Sequence, residues 1–543
     1  MWASAMTIPL TYPASSAIAP PARGVRDALQ RLLLRVEAGF DRAFGASANP
    51  WRHLGAIAFY LFWLIVASGI YVYAAFDTSA DGAYASVERI THDAWPASGF
   101  ARSLHRYASD AFVVVVLLHL GREWVGGHAR GFRWFSWLTG VPLLWLLYAS
   151  GIGGYWLVWD RLAQFSLIAT AEWLDWLPLF GELLVRNFIA GESVSDRFFS
   201  LLIFLHIGIP LALLLGMWVH IQRISRPRTN PPPALAVGLL AALVVLALAK
   251  PAASGAPADL SLSPSAVDLD WLYLGFHPLL YATSAGILWA LAGGVTLLLA
   301  LLPWLPPRQR APAARVDLAN CNGCGRCFAD CPYAAVTLQP RTDGKPLPLQ
   351  AVVDPELCAG CGICAGACPS STPFRSAGEF ISGIDMPQRP VRALRAELER
   401  AIGALRGRVK VVVFGCECAA DAAALAAPEI AVVSLLCTAM LPPSFVEYAL
   451  CAGVDGVLVT GCREGDCQYR LGNRWAEERL AARREPHLRA AMPNERVRLA
   501  WAGPDDAESL TAELERFRQA LDALLPSART GRRPPKRVET RHV

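Results

Sequence analysis

The first 320 residues contain no cysteine; all 14 lie between Cys321 and Cys467. Thiolate-held metal is thereby excluded from the first part, which is either cofactor-free or uses histidine. The later crowd of thiols points to a reducing compartment, where cysteines survive as ligands. Charge is also scarce. With 17% charged residues against 54% hydrophobic and a mean hydropathy of +0.34, the chain is not wholly soluble, and 543 residues are too many for one domain. The net charge of +5 is small and unevenly placed, which bears on membrane orientation and gives no reason to expect nucleic acid. No residue pattern reads as a general base, a nucleophile or a phosphate cradle, so no self-contained catalytic site is expected and the chemistry falls to cofactors. Residues 1–21 lack the basic start of a cleavable signal peptide, and 23–42 alternates arginine with leucine as an amphipathic helix on a membrane surface does.

What is present begins with apolar runs. Residues 54–76, 134–159, 198–222, 229–249 and 271–307 are each long enough to cross a hydrocarbon core of roughly 30 Å. A sixth run, 103–120, is interrupted by polar residues, and the interruptions carry the information. His105 and His119 stand fourteen apart, as do His206 and His220 on the 198–222 run. Fourteen residues at about 100° each fall within roughly 40° of four whole turns, so each pair faces one way, about 21 Å apart along its helix. Two such helices side by side give two stacked bis-imidazole sites, and buried ligation explains histidine in lipid, where polar groups are costly. Gly55 and Gly69, and Gly140 and Gly154, repeat the interval and clear two levels where a flat macrocycle could lie.

The cysteines open with a doubled C-x2-C-x2-C-x3-C-P motif: Cys321, Cys324, Cys327 and Cys331 before Pro332, then Cys358, Cys361, Cys364 and Cys368 before Pro369. Zinc sites favour separated pairs over triplets. The fourth cysteine of each motif is expected to serve the other cluster, which puts Cys321, Cys324, Cys327 and Cys368 on one 4Fe-4S cluster and Cys358, Cys361, Cys364 and Cys331 on the second. Further on, strand-like runs at 409–414, 430–436 and 454–460 close on Cys416 and Cys418, on Cys437, and on Cys462 and Cys467. Separated by helical patterns, they read as a small α/β unit whose parallel strands end where such sheets bind ligands. Cys451, in a helix-like stretch, reads as a core residue.

Three resemblances attach to these residues. Residues 321–369 resemble bacterial-type ferredoxins. Arg102-Ser-Leu-His105-Arg-Tyr-Ala-Ser, Gly154-Tyr-Trp-Leu-Val-Trp-Asp160 and Arg197-Phe-Phe-Ser resemble the cytochrome b of bc-type complexes over about 35–225, which implies a four-helix bundle with two b haems, on His105 with His206 and on His119 with His220. The Pro-Glu-Trp-Tyr motif of quinol oxidation and a Rieske-type segment are missing, which counts against bifurcated quinol oxidation. The stretch Gly453 to Asn473 resembles the delta subunit of the methyl-viologen-reducing hydrogenase over about 409–522. That likeness implies a 2Fe-2S cluster on Cys416 (or Cys418 in its place), Cys437, Cys462 and Cys467, and electron delivery to a heterodisulfide reductase.

Loops 1–54, 121–133 and 223–231 carry six, three and three Lys/Arg; loops 76–104, 160–197 and 250–270 carry two, three and one, with thirteen acidic residues. By the positive-inside rule both termini are cytoplasmic, in a multi-pass protein of the inner membrane, and 160–197 with Trp173 and Trp176 lies as short interfacial helices outside. The expected organisation is a dihaem membrane domain (1–225), two more membrane helices and an exit linker (226–310), an α+β ferredoxin domain (311–385), a charged helical linker (386–408), a small α/β iron-sulfur domain (409–525) and a disordered basic tail (526–543), whose Arg529, Arg532, Arg533, Lys536 and Arg537 suit anionic lipid. The expected function is electron exchange between quinone or quinol and a cytoplasmic heterodisulfide-reductase-like flavin or iron-sulfur oxidoreductase, through two b haems, two 4Fe-4S clusters and a terminal 2Fe-2S cluster. The alternatives are a membrane anchor of a hydrogenase or formate dehydrogenase and a membrane redox sensor.

Overall fold

The computed structural model describes residues 25–93, 97–179, 194–262, 267–305, 311–375, 379–463, 465–489 and 491–524. The expected basic tail and the middle of the 160–197 loop lie outside them. The amphipathic run forms α1 (Val25–Phe44), joined to α2 (Leu54–Tyr73) through Asn49, whose buried amide donates to Glu37 O at 2.9 Å and Asp41 Oδ1 at 2.8 Å. Then follow α3 (Ala83–His92), α4 (Ser98–Val125), α5 (Trp134–Val158), α6 (Arg161–Asp175), α7 (Asp196–Ile221) and α8 (Pro233–Ala249). α2 packs along α4 and α5 along α7.

Among the described residues four helical stretches, Pro50–Tyr73, Gly131–Val158, Asp196–Ile221 and Ala285–Trp304, are long and apolar enough to cross a membrane. Three of the six expected crossings differ, the 103–120 run because its helix α4 carries Arg106 and Asp110 and is not among these four. The 229–249 run becomes a helix only from Pro233, because Pro231, Pro232 and Pro233 cannot donate within a helix, and its 17 residues span about 25 Å, less than a hydrocarbon core. The 271–307 run is broken into α9 (Trp271–Leu274), capped by Asp270, α10 (His277–Ala282) and α11 (Ala285–Leu301), capped by Ser284; only the last, continued by the turn Leu302–Trp304 to 20 residues, has crossing length. At this end Asp160 accepts from Ala163 N and Gly255 N, and Gln164 donates to Asp259 O and Leu262 O, tying the α6 start to 252–262. Trp173 stacks on Trp289 of α11 at 4.5 Å between ring centroids.

The ferredoxin region is two antiparallel ribbons, β1 (Arg315–Val316) with β4 (Ile384–Asp385) and β2 (Val336–Pro340) with β3 (Leu349–Val353), carrying the short helices α12 (Arg326–Asp330) and α13 (Ile363–Ala367). The C-terminal unit is a parallel sheet of order β6-β5-β7-β8, with β5 Val411–Cys416, β6 Ile430–Leu435, β7 Gly456–Gly461 and β8 Val497–Trp501. Alternate residues of β5 face opposite cores: Val412 and Phe414 meet α14 (Val391–Ala404) and α15 (Pro443–Cys451), while Val411 and Val413 meet Leu514, Phe517 and Leu521 of α17 (Ala507–Leu524). Two expectations are corrected. The strand β8 adds to the three anticipated, and 386–408 is no free linker, because Val391, Leu394 and Leu398 of α14 are fully buried in the sheet's core.

The C-terminal unit packs against both the ferredoxin and the membrane helices. On the ferredoxin side α16 (Gly472–Leu480) sends buried Arg479 to Asp330, which Arg484 also pairs at 2.7 Å, and Trp475 Nε1 donates to Asp330 O at 3.1 Å. Asp330→Ala would leave Arg479 buried and unpaired, a loss of about 3–5 kcal/mol. Hydrogen exchange of the Gly472–Leu480 amides in the detergent-purified chain should show that loss, and adding Arg479→Leu should recover part of it; a double variant less stable than the single would overturn the account.

Candidate metal centres

The four membrane histidines meet in the expected two levels. His105 and His206 have ring centroids 6.3 Å apart, and His119 and His220 lie close enough for their charges to interact. Nδ1 of His105 lies 2.9 Å from Ile65 O, that of His206 3.0 Å from Ser150 O, and that of His220 3.2 Å from Thr139 Oγ1. A backbone carbonyl accepts only from N–H, so this contact fixes the tautomer at His105 and His206 and leaves Nε2 free to bind a metal. The glycines sit over the same rings: an added Cβ would stand 2.8 Å from His105 Cε1 at Gly69, 3.0 Å from His206 Cε1 at Gly154, 3.3 Å from His220 Cε1 at Gly140 and 3.5 Å from His119 Cε1 at Gly55. Donor set, tautomer and clearance all fit a bis-imidazole haem.

In the ferredoxin region one cavity is lined by Cys321, Cys324, Cys327 and Cys368, so the fourth thiol does come from the second motif. Cys331 in turn neighbours Cys358, Cys361 and Cys364. Gly323, Gly325, Gly360 and Gly362 all take positive φ, and a Cβ at Gly323 would meet Leu349 O at 2.2 Å, so the curl around the cavity demands glycine. Burial pushes Cys327 up to about 12 and raises Cys331 and Cys361, so these thiols become thiolates only against a compensating cation such as cluster iron.

The third set gathers at the carboxyl edge of the sheet. The strand order reverses across β5, and the ends of β5, β6 and β7 there present Cys416, Cys437 and Cys462, with Cys467 on the following loop. Cys462 contacts Cys416 and Cys467, and Cys467 contacts Cys437; hydrogen bonds from Cys437 and Cys462 hold Cys467 well below the usual thiol range. A Cβ at Gly472 would stand 2.3 Å from Cys437 Sγ. Cys418 contacts Cys416 and lines the cleft toward the membrane helices, so five thiols meet here and both candidates for the first ligand are within reach. Cys451 ends α15 exposed, not buried as a core residue would be.

Sequence reasoning missed the residues that join these sites. Arg122 of α4 pairs with Asp466 at 3.0 Å and with buried Glu37 at 2.8 Å; Arg133 donates to Gln468 O at 2.6 Å; Phe132 lies 4.7 Å from Tyr333 and 5.7 Å from Tyr469 between ring centroids. Ser225, beyond α7, donates through Oγ to Cys331 O at 2.7 Å and accepts from Arg470 at 3.0 Å. Burial pulls Arg470 down to about 10, which leaves it a cation at neutral pH. The only sequence sign was that polar residues crowd around Cys467 and that loops 1–54, 121–133 and 223–231 are basic.

Comparison with known proteins gives three family matches in chain order: cytochrome b/b6 over residues 41–227, a 4Fe-4S dicluster domain over 320–372, and the delta subunit of methyl-viologen-reducing hydrogenase over 411–524. Cytochrome b6 of Gracilaria tenuistipitata var. liui is 30% identical over 191 residues, which cover 34% of this chain and 86% of that protein. The chain belongs to the cytochrome b/b6 family. Cytochrome b6 of Porphyra purpurea matches equally well, at 30% over 191 residues with the same coverage. A chain of a hyperthermophilic respiratory complex III overlays with a TM-score of 0.40 and 19% identity over 52% of this chain and 83% of that one, too distant a likeness to carry an argument. The cytochrome b domain implies haem, the dicluster domain implies 4Fe-4S clusters, and the fusion is a membrane electron-transfer protein. Gly69→Ala should therefore lower the haem content of the purified protein, since its methyl collides with the His105 ring, whereas Gly55→Ala meets only ordinary contact and should not. A pyridine haemochrome assay separates the two; equal loss in both would refute the level-specific clearance.

Proposed function

We propose that this cytochrome b fusion carries electrons between a membrane quinone pool and a soluble oxidoreductase of the heterodisulfide reductase kind. Two b haems are held by His105 with His206 and His119 with His220. Two 4Fe-4S clusters are held by Cys321, Cys324, Cys327 and Cys368 and by Cys358, Cys361, Cys364 and Cys331. A 2Fe-2S cluster is held by Cys437, Cys462, Cys467 and Cys416, with Cys418 beside it. The haems and clusters supply one-electron chemistry; the chain positions them, keeps water from the membrane pair and sets the surrounding charge.

The carrying observation is continuity. The helix ends beyond His119 and His220 touch the loops bearing Cys467 and Cys331, and Cys437 shares a packed core with Cys361. The inner histidine end, the third set and the two ferredoxin sets therefore follow one another through packed contacts, with the outer histidine pair about 21 Å further along the same two helices. Arg52, Arg122, Arg133 and Arg226, from the three basic loops, all lie at the end that meets the soluble domains, which supports a cytoplasmic location for those domains in an inner-membrane protein.

The test is a titration of the detergent-purified chain. Two haems per chain, iron and acid-labile sulfide matching two four-iron clusters and one two-iron cluster, and reoxidation of the reduced centres by a quinone are expected. A chain that binds all centres but exchanges no electrons with any quinone would sink the reading.

A further inference from the structure

Two of the cysteine sets are enclosed and one is open. Cys416, Cys437 and Cys462 are 4%, 1% and 4% exposed. Cys467 is gripped on both sides by the membrane domain: Asp466 by Arg122, one turn past His119, and Gln468 by Arg133 at the head of α5. Cys418 and Cys462 line a cleft whose facing wall is Leu33, Leu34 and Glu37 of α1. On the far side Cys437 and Cys361 pack around Trp475 in one core. The cavity of Cys321, Cys324, Cys327 and Cys368, by contrast, is lined by ferredoxin residues alone; Cys324 is exposed, and Phe328 nearby is 52% exposed.

Resting on the reading above, we propose that the third cysteine set is an internal relay between the inner histidine pair and the ferredoxin, and that the soluble redox partner meets the chain at the Cys324–Phe328 face. With three thiols this buried, Cys467 half-buried and both neighbours of Cys467 gripped by the membrane domain, this set leaves a partner protein less room than the exposed Cys324 does. An exposed ligand beside an exposed aromatic offers an approach, since a second redox protein can bring its own centre against it. Chain order would put the hydrogenase-delta-like unit last; in space it contacts both the membrane helices and the Cys361 core. Because the Cys331 loop also touches the membrane domain through Ser225, a Cys467→Ser variant separates the relay from a direct route. Each transfer moves one electron, oxidising the donor centre and reducing the acceptor by one unit. At the membrane end a quinone takes two electrons and two protons to become quinol.

The test uses the full chain in liposomes holding a long-chain quinone, which stays in lipid. A membrane-impermeant photoreduced deazaflavin reduces the clusters from the water side, and freeze-quenched paramagnetic resonance follows each centre while the haem α-band reports arrival. In the wild type the cluster signals drain as quinol forms; if they do not, the proposed function itself fails. In Cys467→Ser the ferredoxin signals should persist while the haems stay oxidised. Normal draining in that variant, with the wild type active, overturns the relay order. Because a ligand variant can misfold, a second pair avoids the ligands. Arg122→Asp and Asp466→Arg should each slow draining roughly tenfold or more through like-charge repulsion at the joint, and the double exchange should restore it in part, since it rebuilds the pair across the joint but leaves buried Glu37 without its cation. Single variants as fast as wild type would also overturn the proposal.

Discussion

One buried carboxylate holds the soluble half together. Asp330 ends α12 and is 3% exposed; it is clamped by Arg479, itself 1% exposed, and by Arg484, which also lies 3.3 Å over the Trp475 ring. Taking three charges out of water is costly, and a buried ion pair of this kind rarely adds net stability over apolar packing. What it adds is register: a charge that can be satisfied in only one place fixes how α16 meets α12. Asp330 precedes Cys331, and Arg479 also donates to Ala439 O, two residues beyond Cys437. The clamp thus sets the spacing between a ferredoxin thiol and a thiol of the third set, the dimension on which transfer between them depends.

The joint with the membrane is built differently. Arg122, Asp466, Arg133 and Gln468 meet through partly exposed polar contacts, with Arg122 at 11% and Asp466 at 29% exposure. Such pairs are weaker and more easily rearranged than the Asp330 clamp. The soluble domains are consequently one packed body, seated on the membrane helices by a shallower, polar contact to which the aromatic trio Phe132, Tyr333 and Tyr469 adds the apolar part.

What the sequence disclosed follows the range over which its signals act. The fourteen-residue spacings of His105 with His119 and of His206 with His220 act within one helix, and both levels are visible before any fold is known. The doubled cysteine motif is just as local, and its crossed fourth ligand is visible in the shared cavity of Cys368 with Cys321. Missed features depend on partners far away in sequence. α14 reads as a charged linker because three apolar residues per two turns look sparse until Val391, Leu394 and Leu398 are set on a sheet. Arg122 and Asp466 stand 344 residues apart, and no periodicity encodes such a contact.

α4 shows the same limit inside the membrane domain. It is the longest helix at 28 residues and carries two of the histidines, yet it is absent from the helices apolar enough to cross by composition. The reason is Arg106 and Asp110, which bond to each other in the i, i+4 register, while Arg106 also reaches Asp270, the cap of α9, where Tyr155 donates to the same carboxylate. A charge in hydrocarbon is tolerable when it is paired inside the bundle. The carboxylate that caps α9, at the head of the 271–307 run, is therefore also the second anion that makes α4 compatible with lipid. Asp270 starts a new helix at the level where Arg106 needs a second anion, so two apparent violations of membrane composition cancel each other one residue from His105.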